Sequence, residues 1–304
     1  MRRLRIVSIG LFVVSLALLG IELYKAKVIG DQTGPVFQEI SNPIEVSVKD
    51  GEESLLKGLT AIDAADGDVT DSVIVESISP FTGTGHRIVT YAAFDSDNHV
   101  THTKRELVYS DYDPPRFHLD KQLCFAMNAT NLLDGISAED CIDGDITKSI
   151  KMMSDSDIDT AHVGEYSARL KVTNSAGGVA YLPVTIEIYD ASVWHRMPQL
   201  NLKDQVVYVK KGVDFDEEDY ISSIVINGNE YSMASESETY NAGKNENDAI
   251  KTISYDRVNI ESDVETDVPG YYEVVYSFED TEFATGTGKA RLYVVVTEGR
   301  DEGK

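Results

Sequence analysis

Basic residues are scarce in this chain. Its 304 residues include 27 Lys and Arg against 52 Asp and Glu, a formal charge of −25. Five of the basic residues (Arg2, Arg3, Arg5, Lys25, Lys27) fall within residues 1–27, beside one acid, Glu22. The rest of the chain therefore carries 22 basic and 51 acidic residues. Such a surface repels nucleic acid and anionic lipid head groups and excludes both as partners. It suits solubility, cation binding or a basic partner. Histidines number six, and no H-E-x-x-H, G-x-S-x-G or C-x-x-C occurs. Zinc-protease, serine-hydrolase and dithiol chemistries thus lack their residues, and the chain is expected not to be an enzyme. "ATGTGKA" (284–290) looks like a phosphate loop, but Lys289 enters a strand pattern where a helix is required. No cofactor-binding motif is read.

Long apolar runs are absent except for one. Leu4–Leu23 is 20 residues, about 30 Å as a helix, long enough to cross a bilayer. Three arginines precede its uncharged run, Ile6–Ile21, and Tyr24 occupies a place where signal-peptide cleavage wants a small residue. The expectation is a cytoplasmic stub and transmembrane signal-anchor over 1–27, with a cleaved signal peptide as the alternative. Localisation follows from it: a single-pass cell-membrane protein, anchored through the N-terminal helix, with its C-terminal domains extracellular.

Acidic composition can mean disorder. Here 42% of residues are hydrophobic and 16 are tyrosines, which argues for a folded β-rich chain. Repetition supports this. "GLTAIDAADGDVT" (58–70) and "GISAEDCIDGDIT" (135–147) match block for block, 77 residues apart. Downstream, "GHRIVTYAAFDSDNHV" (85–100) and "GEYSARLKVTNSAGGV" (164–179) also match, and "GYYEVVYSFED" (270–280) is a third copy. In these blocks apolar and polar residues alternate. Tyr166, Ala168, Leu170 and Val172 share one face, as do Tyr272, Val274, Tyr276 and Phe278, which predicts half-buried antiparallel strands. A turn and a second strand follow each, over Val100–Tyr109, Val179–Ile188 and Ala290–Val296. Each copy opens on a proline before an apolar alternation, "GPVFQEI", "PPRFHLD" and "MPQLNLKD", as an edge strand allows. Units of 75–105 residues with several short strands fit immunoglobulin-type sandwiches.

"TAIDAADGDVTDSVIV" and "SAEDCIDGDIT…GEYSARLKVTNSAGG" resemble the bacterial extracellular Ig-like modules, including those named after an insecticidal crystal protein. The first copy departs from that pattern at Arg87. The third lacks Asp-Gly-Asp and has "DFDEEDYISSIVINGNEY" instead, with a polar insertion near 232–262. The resemblance implies an all-β fold of tandem Ig-like β-sandwiches: domain 1 over 35–112, domain 2 over 113–190, a divergent domain 3 over 196–298, and a tail over 299–304. Short Pro-containing joints predict modules projecting in line, on the order of 100 Å.

Two candidate sites follow. Asp63, Asp66, Asp68 and Asp95 in the first copy, and Asp140, Asp143 and Asp145 in the second, are oxygen donors of the kind that binds Ca²⁺. The alternative is that they cap turns, with Gly supplying the positive φ. Cys124 and Cys141 would oppose one another if strands over 121–127 and 134–141 paired, at a separation suited to a disulfide. Otherwise they are two thiols. The functional expectation is a membrane-anchored bacterial surface protein, an adhesion or spacer module with non-catalytic binding to an extracellular protein or polysaccharide. Two alternatives stand beside it: a polysaccharide- or cell-wall-binding protein using Tyr231, Tyr240 or Tyr255 of the insertion, and an accessory subunit of a membrane assembly. Trp194 is expected to plug the junction of domains 2 and 3.

Overall fold

The computed structural model describes residues 2–29, 33–38, 40–235, 252–279 and 286–298. Tyr240, most of the insertion around it, and the tail lie outside the described residues. The chain divides into two compact units, Met1–Asp113 and Pro114–Lys304.

The first unit opens with helix α1 (Arg2–Ile29). Its described side chains, residues 10–24, leave Leu11, Phe12, Val13, Val14 and Leu18 more than half exposed. Among the described residues no helix is long and apolar enough to cross a membrane. The expected transmembrane span, and the single-pass localisation built on it, are corrected accordingly.

A β-sandwich follows. Its strands are β1 (Val36–Gln38), β2 (Ile44–Val46), β3 (Thr60–Asp63), β4 (Gly67–Asp68), β5 (Ile74–Ile78), β6 (His86–Phe94) and β7 (Val100–Tyr109), with helix α2 (Glu52–Leu55) between β2 and β3. One sheet has the order β1-β3-β4 and the other β2-β7-β6-β5. Ala61, Val89, Tyr91, Ala93 and Leu107 fill the space between them.

The second unit holds two sandwiches. One comprises β8 (Arg116–Leu119), β9 (Cys124–Ala126), β10 (Ile136–Asp140), β11 (Gly144–Asp145), β12 (Lys151–Met152), β13 (Gly164–Thr173) and β14 (Val179–Tyr189). It repeats the first sandwich, with sheets β11-β10-β8 and β12-β13-β14-β9. After helix α3 (Ala191–Trp194) comes the other: β15 (Gln199–Leu202), β16 (Val206–Lys210), β17 (Ile221–Ile226), β18 (Asn229–Ala234), β19 (Thr252–Ser254), β20 (Asn259–Ser262), β21 (Gly270–Glu279) and β22 (Thr287–Thr297). Its sheets are β15-β17-β18-β19 and β16-β22-β21-β20. The β17–β18 hairpin takes the place that Asp-Gly-Asp holds in the other copies.

Alternation in the sequence became burial as expected. Ala168, Leu170 and Val172 of β13, and Val274, Tyr276 and Phe278 of β21, are all buried. Pro35, Pro115 and Pro198 each stand immediately before a strand's first residue.

All three sandwiches share one device. The opening segment starts in one sheet, antiparallel to its neighbour (β1 with β3, β8 with β10, β15 with β17). It then crosses to the other sheet and pairs parallel with the last strand (β2 with β7, β9 with β14, β16 with β22). This crossing overturns the expected cysteine geometry. Cys124 sits on β9 opposite Glu187 of β14, while β10 pairs with β8. Cys124 and Cys141 therefore never face one another across a ladder, and the two are not bridged.

Candidate functional site

The repeated aspartates form a clip. Gly67 and Gly144 adopt φ of 77° and 70°, which their lack of a side chain permits. Around them Asp63 Oδ1 accepts from the N–H of Ala65 and Asp66 at 2.8 and 2.9 Å, and Asp140 Oδ1 from those of Ile142 and Asp143 at 2.9 and 3.1 Å. Asp66 reaches the hairpin turn, accepting from Ser96 N and Oγ at 2.7 and 2.9 Å. Asp143 holds Ser175 the same way, at 2.6 Å for both bonds. Asp68 and Asp145 cap Thr70 and Thr147 at 2.9 Å. Hydrogen bonds from those threonines hold both carboxyls below the usual range.

The copies differ at one point. In the second sandwich buried Asp140 Oδ2 accepts from Asn174 Nδ2 at 3.0 Å. The first sandwich has Asp95 where the second has Asn174. Its buried Asp63 Oδ2 has no hydrogen-bond partner. Asp95 turns instead to His99, accepting from its N–H at 2.7 Å and meeting its Nδ1 at 2.6 Å. Burial alone would raise the Asp95 carboxyl, but the His99 contacts outweigh it and lower it. Among the described residues no group of three or more His, Cys, Asp or Glu side chains is placed to hold a metal ion. The seven calcium candidates meet backbone N–H groups, Ser96, Ser175, Asn174 and the His99 ring.

A second constellation, unforeseen in the sequence, joins the two sandwiches of the second unit. Outward residues of β22 and β16 meet the open strand edges of β14 and β8 along their length, which corrects the in-line projection expected of them. Tyr293 and Val295 of β22 are buried in the core of the preceding sandwich, with Val206 and Tyr208 of β16 packed beside them. The Tyr208 hydroxyl accepts from Phe117 N at 2.7 Å, and burial pushes its pKa up to about 12. Gln122 bonds both backbone groups of Arg291, accepting at 2.7 Å and donating at 3.1 Å.

Arg291 is the charged centre of this seam. Its buried guanidinium meets Glu165 at 2.8 Å, Glu187 at 3.7 Å and Glu273 at 3.4 Å, the last an ionic contact without hydrogen-bond geometry. Lys289 also meets Glu165, at 2.8 Å. Burial acts to raise Glu165, but hydrogen bonds from Lys289 and Arg291 bring it below the carboxylate range. Burial wins at Glu187, whose pKa is raised despite Arg291. Cys124 Sγ lies 3.6 Å from Glu187, and burial together with that carboxylate drives the thiol far up.

One signal for the seam was present in the sequence. "ARLYVVV" (290–296) does not alternate. Ala290, Leu292, Val294 and Val296 serve their own core, and Arg291, Tyr293 and Val295 are buried against the neighbour. A strand covered on both faces reads as a continuous run.

The expected aromatic sites fare differently. Tyr231 and Tyr255 are partly buried against the third core and form no exposed platform. Trp194 stacks on Tyr189, ring centroids 4.1 Å apart. Among the described strand residues the exposed rings are Tyr181 of β14 and Tyr271 of β21, 37% and 49% exposed. They meet across the seam, where the backbone of Tyr181 hydrogen-bonds the Tyr271 hydroxyl.

No family model matches the chain. The pesticidal crystal protein Cry22Aa of Bacillus thuringiensis is 35% identical over 127 residues, 40% of this chain and 17% of Cry22Aa. The chain thus spans less than a fifth of that relative's length. Among solved structures, CBM51-2 with INT domains from Clostridium perfringens ZmpB, in complex with GlcNAc, is 19% identical over 49% of this chain and 26% of that one, with a TM-score of 0.21. Human CDH23 EC21-23 is 12% identical, covering 86% of this chain and 100% of that one, with a TM-score of 0.21. The Bacteroides ovatus protein SGBP-B, in complex with a mixed-linkage heptasaccharide, is 12% identical, covering 88% and 71%, with a TM-score of 0.20. Superpositions this loose carry no information on ligand. The Cry22Aa match agrees with a repeated β-sandwich chain and does not fix its specific family.

Proposed function

We propose that this chain is a non-catalytic polysaccharide-binding protein whose second and third sandwiches form one rigid presenting body. The observation that supports it most is the pair Tyr181 and Tyr271. Each ring is exposed, each stands on a sheet strand, and they come from different sandwiches held in fixed relation by the seam. Flat apolar faces with a polar edge, standing on rigid elements, suit the faces of sugar rings. A spacer role is the second reading, favoured by the seam itself. The carboxylates of the Asp-Gly-Asp clips are engaged by backbone and serine donors, which argues for architecture over turnover.

The test is retention of the full chain on a polysaccharide panel, repeated with Tyr181→Ala and Tyr271→Ala. Binding that weakens at least tenfold in each variant supports the proposal. A panel without any binder, or binding indifferent to both tyrosines, removes it.

A further inference from the structure

Strand register creates an unusual row on the second sandwich. β12, β13 and β14 lie side by side, with Lys151 opposite Lys171 and Lys171 opposite Tyr181. Directly opposed residues project from the same face, and like charges placed so repel. Among the described residues neither lysine forms an ion pair. In this they resemble Lys148, Lys203 and Lys210, whereas Lys121 meets Asp134, Arg169 meets Asp155 and Lys289 meets Glu165. What sets these two apart is their direct opposition in register, in a chain with a large acid surplus.

The fold itself does not ask for them. In the first sandwich the same row reads Ile74, Ala92 and His102. In the third it reads Asn259, Ser277 and Lys289. The same ladder therefore forms without a lysine pair. Lys171 Nζ lies 5.8 Å from the centre of the Tyr181 ring, a cation–π contact. Tyr271 extends the row across the seam. Two ammonium groups and two exposed rings are thus contiguous.

We propose that Lys151, Lys171, Tyr181 and Tyr271 form a binding site for an acidic polysaccharide whose sugar units carry carboxylates. The rings stack on sugar faces and the ammonium groups meet the uronate carboxylates. The acid surplus of the remaining surface repels any polyanion, and most strongly a nucleic acid duplex, with one charge per about 1.7 Å, whereas a uronate polymer carries one carboxylate per sugar. This rests on the polysaccharide reading above and narrows its ligand class.

The experiment uses the full chain with polygalacturonate, alginate and hyaluronan, and with fully methyl-esterified polygalacturonate as the neutral counterpart of the first. A Lys151→Gln, Lys171→Gln double variant is run beside it, with its melting temperature measured. At least one acidic polymer is expected to bind. Its affinity should fall at least tenfold in the double variant and decline with added salt, and the esterified polymer should bind at least tenfold more weakly than polygalacturonate. The melting temperature should not fall, since the substitutions remove a repulsion. Equal binding of acidic and esterified polymer, or an unchanged double variant, overturns the acidic-ligand inference while leaving the polysaccharide reading intact. Absence of binding to any of these polymers overturns the acidic-ligand inference, and the polysaccharide panel decides the broader reading. Single-stranded DNA binding as tightly as the acidic polymers makes the row a general polyanion surface and overturns the inference.

Discussion

The Tyr293 hydroxyl stands in for a missing strand. It donates to Thr185 O at 2.9 Å and accepts from Thr185 N at 3.0 Å. Thr185 is paired with Ser167 on one side, but β9 reaches β14 only from Glu187 onward. A phenol from the next sandwich thus completes the ladder. Tyr293→Phe should leave both backbone groups buried without partners and cost about 1–3 kcal/mol. Urea unfolding of the full chain measures this. A loss under about 0.5 kcal/mol would show that water replaces the hydroxyl.

Arg291→Met should make the seam pH-sensitive. Glu187 is raised in the fold by burial, so its contribution is present below its ordinary pKa and is lost as pH climbs through the raised value. Glu165 is lowered, so its contribution is present above its ordinary pKa and is lost as pH falls through the lowered value. With Arg291 in place the two oppose one another. Without it both carboxyls move up, and the fold favours their protonated forms. The variant should lose about 3 kcal/mol at pH 8, the low end for a broken buried pair, because Glu165 is screened by solvent. The deficit should shrink toward pH 5. A deficit that grows on acidification contradicts this account of the seam.

Thiol chemistry should separate the cysteines. Cys141 is exposed, while Cys124 is largely covered and its ionisation is opposed by burial and then by Glu187. At pH 8 a maleimide should label Cys141 within minutes and Cys124 only after unfolding. Mass spectrometry reads the result. Two rapid labels mean an open seam, and none means a disulfide.

Asp95→Asn should stabilise the first sandwich. It gives Asp63 Oδ2 the donor that Asn174 gives Asp140, and the new carbonyl can keep the His99 N–H, as Asn174 keeps Gly178 N at 2.6 Å. The contact between Asp95 and the His99 ring is lost in exchange. A net gain of about 1 kcal/mol is expected. A lower melting temperature than wild type would mean that the His99 contact matters more than the orphaned oxygen.

Local patterning carried much of the fold. Tyr166 to Val172 and Tyr272 to Phe278 alternate because each hairpin has one covered face, and the prolines mark strand starts. What failed was non-local. Cys124 seemed to face Cys141 only while its segment was taken to stay beside β10, and nothing in "KQLCFAM" announces a change of sheet. Tyr181 and Tyr271 are ordinary strand residues until another sandwich brings them together, and the Lys151–Lys171 opposition exists only once register is known. The aspartates were legible in kind, as cation ligands or turn caps, but their reach to Ser96 and Ser175 of the hairpin turn was not, because it joins segments about 30 residues apart.

The crossing of each opening segment has a mechanical consequence. Because β2, β9 and β16 run parallel to the closing strands β7, β14 and β22, tension on the two ends of a sandwich slides those strands past each other. Their hydrogen bonds are then strained together, where a hairpin would peel open one bond at a time. Five residue pairs share that load between Val206–Lys210 and Tyr293–Thr297, against three between Ile44–Val46 and Leu107–Tyr109. Under a steady pull the first sandwich should yield before the third.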